Sequence, residues 1–294
     1  MTGLDGIRSA LGQSYSAIEN LCAVMSPAQW RVQSLCPDWT VRGVVGHLAG
    51  VEQMLVGWLP GSADELPPLD RVAAFAQQTA GLDDTAFAAR VVQTFGQRRA
   101  DLAALSEDDL SRPSWTPVGP ASYGSFMAIR IFDFWVHERD ITTPLGLPTD
   151  DGDARAEMAL AEVERSLGYI VGKKVGLPNG SSIVFHLTGP LRRDLYVTVD
   201  GRAKVVSHID RPDVELSTDS VTFVQLACGR IDQARPPARS GMPGRHVQRD
   251  ASSLASFLAG HHLGSGDRLI TIPDFDVPGR IRIGHRMPPE VRLY

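Results

Sequence analysis

The chain has 294 residues, enough for one large or two ordinary domains and for a substantial buried core. A net charge of −5 with no basic block argues against a nucleic-acid partner. No stretch approaches the ~20 apolar residues that cross a bilayer, which argues against a membrane span. Three cysteines, Cys22, Cys36 and Cys228, are too few and too scattered for a disulfide framework or a C-x-x-C metal knuckle, and they fit a reducing cytoplasm. Met1 to Met25 mixes acids among its apolar residues and does not read as a secretory signal.

The first half is helical by periodicity. Leu4, Ile7, Leu11, Ile18, Leu21 and Met25 recur at helical spacing. Ser26-Pro27-Ala28-Gln29 then reads as an N-cap, a proline at N1 and a capping-box glutamine at N3. Thr40 caps a helix predicted over Val41 to Leu59, with Val44, Leu48, Val51, Leu55 and Trp58 as its apolar stripe and His47 on or beside it. A loop over Pro60–Pro68 leads to a long helix over Asp84 to Leu105, and Ser111 to Pro120 reads as a loop or lid. Ser122 caps the next helix, predicted over Tyr123 to Ile141. Phe126, Ile129, Phe132, Asp133, Val136, His137 and Asp140 share one of its faces by the i, i+3, i+4 rule. Four principal helices in the first ~140 residues is a four-helix-bundle count.

The Pro-, Gly- and Asp-rich run Thr142 to Asp153 reads as a linker. Beyond it a helix over Asp153 to Val175 precedes alternating strands over Ser182–Leu187, Asp194–Val199 and Arg202–Ser207, with Asp200-Gly201 as a two-residue hairpin. Asp213–Ser217 reads as a further strand, followed by helices over Ser220–Cys228 and Ala251–Ala259 with a Pro- and Arg-rich loop, Arg230–Arg249, between them. Leu269-Ile270-Thr271-Ile272 is strand-like. The expected fold class is therefore α+β in two domains: a helical bundle over residues 1–145, an α+β domain over 152–262, and an extension over 263–294.

Asp133 and His137 stand at i and i+4, so their side chains leave one helix face about 5–6 Å apart at Cβ. That spacing suits two ligands of one ion, and His47 on a facing helix can supply a third, leaving a position open as catalytic sites do. Imidazole with carboxylate suits zinc, and also manganese, iron or nickel. Spacing alone favours the plainer reading, a satisfied polar pair in a core or at an interface.

The segment PDWTVRGVVGHL, followed ~90 residues later by RIFDFWVHERDI and PLGLP, resembles the mycothiol-dependent maleylpyruvate isomerase family, within the DinB-like metal-binding four-helix bundles. The resemblance implies that His47, Asp133 and His137 are the metal ligands. The family often has Glu where Asp133 stands, so the shorter arm is a departure. The second half, with VDGRAKVV and DVELSTDSVTFVQLACGR, resembles the sterol-carrier-protein-like domain that follows the bundle in this family. There an arginine after a glycine reaches the metal site and orients anionic substrate, and Arg230 after Gly229 holds that place. A solvated helix end, or a cap on the preceding carbonyls, is the other reading of Arg230.

The resemblance implies a cytoplasmic enzyme whose divalent metal activates a low-molecular-weight thiol, mycothiol, for S-transfer to a small electrophile or for its cis–trans isomerisation. Its partners would be that small-molecule electrophile and the thiol. Two other readings stand beside it: an apolar-ligand binding protein with a relic metal site, and a metal-dependent hydrolase using bound water.

Overall fold

The computed structural model describes residues 3–230. The expected Arg230–Arg249 loop beyond its first residue, the 251–259 helix, the strand-like 269–272 and the 263–294 extension lie outside the described residues.

The bundle is built from α1 (Leu4–Val24), α3 (Val41–Leu55), α5 (Asp84–Ala104) and α6 (Tyr123–Leu145). Short helices α2 (Pro27–Trp30) and α4 (Asp70–Thr79) fill the connections. The caps fall where the sequence puts them. Ser26 and Gln29 close a capping box, Thr40 accepts from the Gly43 N–H, and Ser122 accepts from the Ser125 N–H. α3 stops at Leu55 rather than Leu59, because the chain turns through Gly57 at φ +67°. Trp58 therefore packs from a turn and not from the helix. The expected 111–120 loop is tightened by a two-residue antiparallel ladder, β1 (Pro113–Ser114) with β2 (Ala121–Ser122).

α6 runs one turn past the predicted Ile141 and ends at Gly146 in the left-handed conformation. Pro144 lies inside that last turn. It has no N–H to give the carbonyl of Asp140, four residues back. That carbonyl instead accepts the Leu35 N–H at 3.1 Å, which pins the 35–39 loop against the end of α6.

The second unit has α7 (Ala154–Tyr169), continued by a π-helical turn, Ile170–Val175, and α8 (Ser220–Ala227) on a four-stranded sheet. The strand order is β5-β4-β3-β6, from β3 (Ser182–Thr188), β4 (Arg193–Asp200), β5 (Arg202–Val206) and β6 (Val214–Asp219). β3, β4 and β5 pair antiparallel, and β6 pairs parallel to β3. Gly201, at φ +64°, makes the β4–β5 turn.

One expectation about α6 needs correcting. Phe132 and Val136 do not share the bundle face with the ligand candidates. With Trp135 they enter the second hydrophobic core, alongside Val163, Leu167 and Phe185. Met127, Ile131, Phe134 and Ile141 serve the bundle core. α6 is apolar on two sides because it belongs to both units, and Asp133, His137 and Asp140 form a separate stripe at i, i+4 and i+7.

Candidate metal centre

His47 from α3 and Asp133 and His137 from α6 come together in the protein interior, 4%, 1% and 5% exposed. The Nε2 atom of His47 lies 3.6 Å from Asp133 Oδ2, and that of His137 lies 3.4 Å from Asp133 Oδ1. Zinc bonds of about 2.0–2.1 Å in a tetrahedral array set ligand atoms roughly 3.3–3.4 Å apart. The two ring nitrogens thus face the carboxylate at ligand spacing, slightly too far for hydrogen bonds. The residues present fit a divalent ion held by two imidazoles and one carboxylate.

A second group, Cys36, His137 and Asp140, also brings metal-binding atoms together, but its spacing differs. His137 Nδ1 is 2.8 Å from Asp140 Oδ2, and Cys36 Sγ donates to the same oxygen at 3.2 Å. These are hydrogen bonds, with no room for an ion between nitrogen and carboxylate. An ionised carboxylate only accepts, so Nδ1 of His137 carries the proton and its Nε2 turns toward His47 and Asp133. A ligating histidine is ordinarily oriented this way. Asp140 also accepts from Arg230 Nε at 3.0 and 3.1 Å.

The site's other walls are local. Trp39, half-buried on the loop before α3, stacks on His47 with centroids 4.8 Å apart and planes 28° from parallel. That loop is closed by Ser34 Oγ donating to the Trp39 carbonyl at 2.7 Å and by Gln33 Nε2 donating to the carbonyls of Cys36 and Trp39. Nδ1 of His47 has no hydrogen-bond partner among the described residues, so stacking fixes this ring.

The electrostatics divide the two imidazoles. Burial pushes His47 below its ordinary range despite Asp133. Burial works the same way on His137, but Asp133 and the hydrogen bond to Asp140 outweigh it and hold it well above. Burial would raise the Asp133 carboxyl, yet the Arg130 guanidinium and His137 keep it well below the usual carboxylate range.

Two stretches of the chain match models of one family. The Mycothiol maleylpyruvate isomerase N-terminal domain matches residues 11–142, and the MDMPI C-terminal domain matches residues 157–248. The chain belongs to the mycothiol maleylpyruvate isomerase family. Two crystal structures, of the mycothiol-dependent maleylpyruvate isomerase and of a histidine-to-alanine mutant of it, share its fold. Each is 19% identical with a TM-score of 0.54, over 78% of this chain and 92% of the other. No curated protein matches the chain.

In this member of the maleylpyruvate isomerase family, the structure brings His47, Asp133 and His137 together and places Arg230 one residue removed, on Asp140. Sequence reasoning missed Glu52, Arg98 and Arg130. Glu52 is 0% exposed and accepts from Tyr15 of α1 at 2.7 Å, Arg98 of α5 at 2.8 Å and Arg130 of α6 at 3.0 Å. Arg130 also donates through Nη1 to Asp133 Oδ2. A signal existed: Glu52 stands four residues after Leu48, and Arg98 three after Phe95, both on apolar stripes.

Proposed function

We propose that this chain is a metal-dependent enzyme that uses mycothiol on a small electrophile, by cis–trans isomerisation or by S-transfer, with His47, Asp133 and His137 as the metal ligands. Membership of the family supports a thiol-dependent isomerase. The observation that carries the site assignment is the convergence of two Nε2 atoms on one carboxylate at 3.4 and 3.6 Å while the Nδ1 of His137 is tied to Asp140.

A divalent ion held by His47, Asp133 and His137 would supply a Lewis acid that favours the thiolate form of a thiol at neutral pH. The chain's own residues do the rest. Asp140 keeps the Nε2 lone pair of His137 turned into the site. Trp39 shields the His47 ring from solvent. Arg230 gives Nε to Asp140 and Nη1 to the Cys228 carbonyl, leaving Nη2 uncommitted among the described residues for an anionic group on the substrate. The buried thiol of Cys228 is pushed up to about 12 by burial, so it does not compete as a nucleophile.

Metal analysis of the purified full chain is expected to find about one divalent ion per chain, lost in His137→Ala. Mycothiol is expected to raise the melting temperature of the metal-loaded protein saturably. Retention of the ion by His137→Ala rejects the site. Metal without a mycothiol response points to a hydrolase using bound water, and absence of metal points to a binding protein.

A further inference from the structure

Beneath the three candidate ligands runs a chain of alternating buried charges. Asp101, at its solvent-facing end, pairs with Arg98 at 3.2 Å. Arg98 pairs with Glu52, Glu52 with Arg130, and Arg130 with Asp133. The side chains of Arg98, Glu52, Arg130 and Asp133 are all 5% exposed or less. Every helix of the bundle enters the network: Tyr15 from α1, Glu52 from α3, Arg98 from α5, Arg130 and Asp133 from α6.

Such a network is a poor way to gain stability. Well-packed apolar side chains in place of buried ion pairs are often as stable or more so. Here Nη2 of Arg130 is buried without a partner among the described residues, a cost an apolar core would not carry. What the network does supply is a fixed geometry between two helices. Glu52 lies five residues after His47 on α3, and Arg130 three residues before Asp133 on α6. The Arg130 guanidinium, planar and rigid, spans from Glu52 Oε1 to Asp133 Oδ2. It therefore ties the helix that carries His47 to the carboxylate that must meet it. It also donates to Oδ2, the oxygen that His47 Nε2 faces at 3.6 Å, and so fixes the carboxylate with Oδ1 turned to His137 Nε2 at 3.4 Å. The negative charge of Glu52 keeps a cation stable beside a site that is to receive another.

We propose that Glu52 and Arg130 are positioning residues of the metal centre: as a pair they hold the short Asp133 arm at ligand distance from imidazoles on two helices, and so set how tightly the centre holds a divalent ion. The inference rests on the reading of His47, Asp133 and His137 as ligands.

The test uses the full-length protein, zinc and cobalt, with dissociation constants from chelator competition and the visible absorption of the cobalt form as a report on coordination. Arg130→Lys keeps the charge but not the fork, and Glu52→Gln keeps the volume but not the charge. Each is expected to bind zinc about ten-fold or more weakly, the range seen when groups that orient metal ligands are removed, and to shift the cobalt bands. Arg98→Lys disturbs the same network without touching Asp133, and is expected to lower the melting temperature of the metal-free protein while binding zinc like the wild type. If Arg130→Lys does not fold, the near-isosteric Glu52→Gln carries the test. Folded variants that bind zinc within about two-fold of wild type with unchanged cobalt bands overturn the proposal, as does an equal loss in Arg98→Lys. His137→Ala, run alongside, separates the two levels: metal binding retained there removes the ligand assignment itself, whereas metal lost there and kept in both positioning variants removes the positioning role alone.

Discussion

His137 shows how much of a site is decided by neighbours that a spacing rule does not see. Its ring is fixed from one side by Asp140 at 2.8 Å and faces Asp133 on the other at 3.4 Å. Asp140→Asn keeps the volume and removes the ionised acceptor, so the ring can turn and its donor strength falls. Metal affinity is expected to drop about 10–100-fold by chelator competition, and unchanged affinity would place the orienting role elsewhere. The same contacts set a pH dependence. In the metal-free site burial keeps His47 neutral, while Asp133 and Asp140 outweigh burial and hold His137 protonated near neutral pH. A ligating imidazole must be neutral, so metal binding displaces the His137 proton. Affinity is therefore expected to rise with pH below the raised pKa of His137, with about one proton released per ion. Calorimetry in buffers of different ionisation enthalpy measures that number, and a value of zero contradicts it. As candidates, His47, Asp133, His137 and Arg230 were legible because motif and family resemblance name them. Glu52 and Arg130 were not, because a charged residue on an apolar stripe says that it is paired but not with what.

The elements were legible where a local rule governs them. Ser26, Thr40 and Ser122 all cap where expected, since a cap is decided within four residues. The end of α6 was not legible. Pro144 reads as a helix stop, yet the helix continues because Leu35, 105 positions before Asp140, satisfies the Asp140 carbonyl that the proline leaves free. The packing of α7 on β5 is likewise non-local. A Cβ at Gly168 would stand 2.8 Å from the carbonyl oxygen of Ala203, and one at Gly172 would stand 2.8 Å from the Ala203 Cβ. Alanine at Gly168 gains up to about 1 kcal/mol of helix propensity, but a clash with backbone costs about 1–3 kcal/mol. Gly168→Ala is expected to be destabilising on balance, by up to about 2 kcal/mol in urea unfolding. Gly12→Ala in α1 meets nothing within 4 Å and is expected to be stabilising by up to about 1 kcal/mol. Equal effects from the two substitutions would mean that propensity and not contact decides both.

At the scale of the molecule, the sequence divides at the 142–153 run, and the family models divide in the same region, yet α6 does not respect the division. Phe132, Trp135 and Val136 are 5%, 2% and 6% exposed, and each is buried in the core of the second unit. Glu138 of α6 accepts from Arg155 of α7 at 2.9 Å, and Asp140 accepts from Arg230 beyond α8. Cutting the chain after Gly146 would expose three large apolar side chains, at about 1.5–3 kcal/mol each, and would take Arg155 from the buried Glu138 carboxylate and Arg230 from that of Asp140. The apolar loss alone, roughly 5–9 kcal/mol, rivals the ~5–15 kcal/mol that a whole domain has to spare. Residues 1–146 expressed alone are therefore expected to aggregate or to melt without a cooperative transition, and the intact protein to unfold in one calorimetric step. A fragment that melts sharply near the temperature of the full chain would show that α6 serves the bundle first. The same geometry makes the second unit more than an appendage to the candidate metal centre. Its Arg230 holds Asp140, Asp140 holds His137, and a shift of the α8 end reaches the site through two hydrogen bonds.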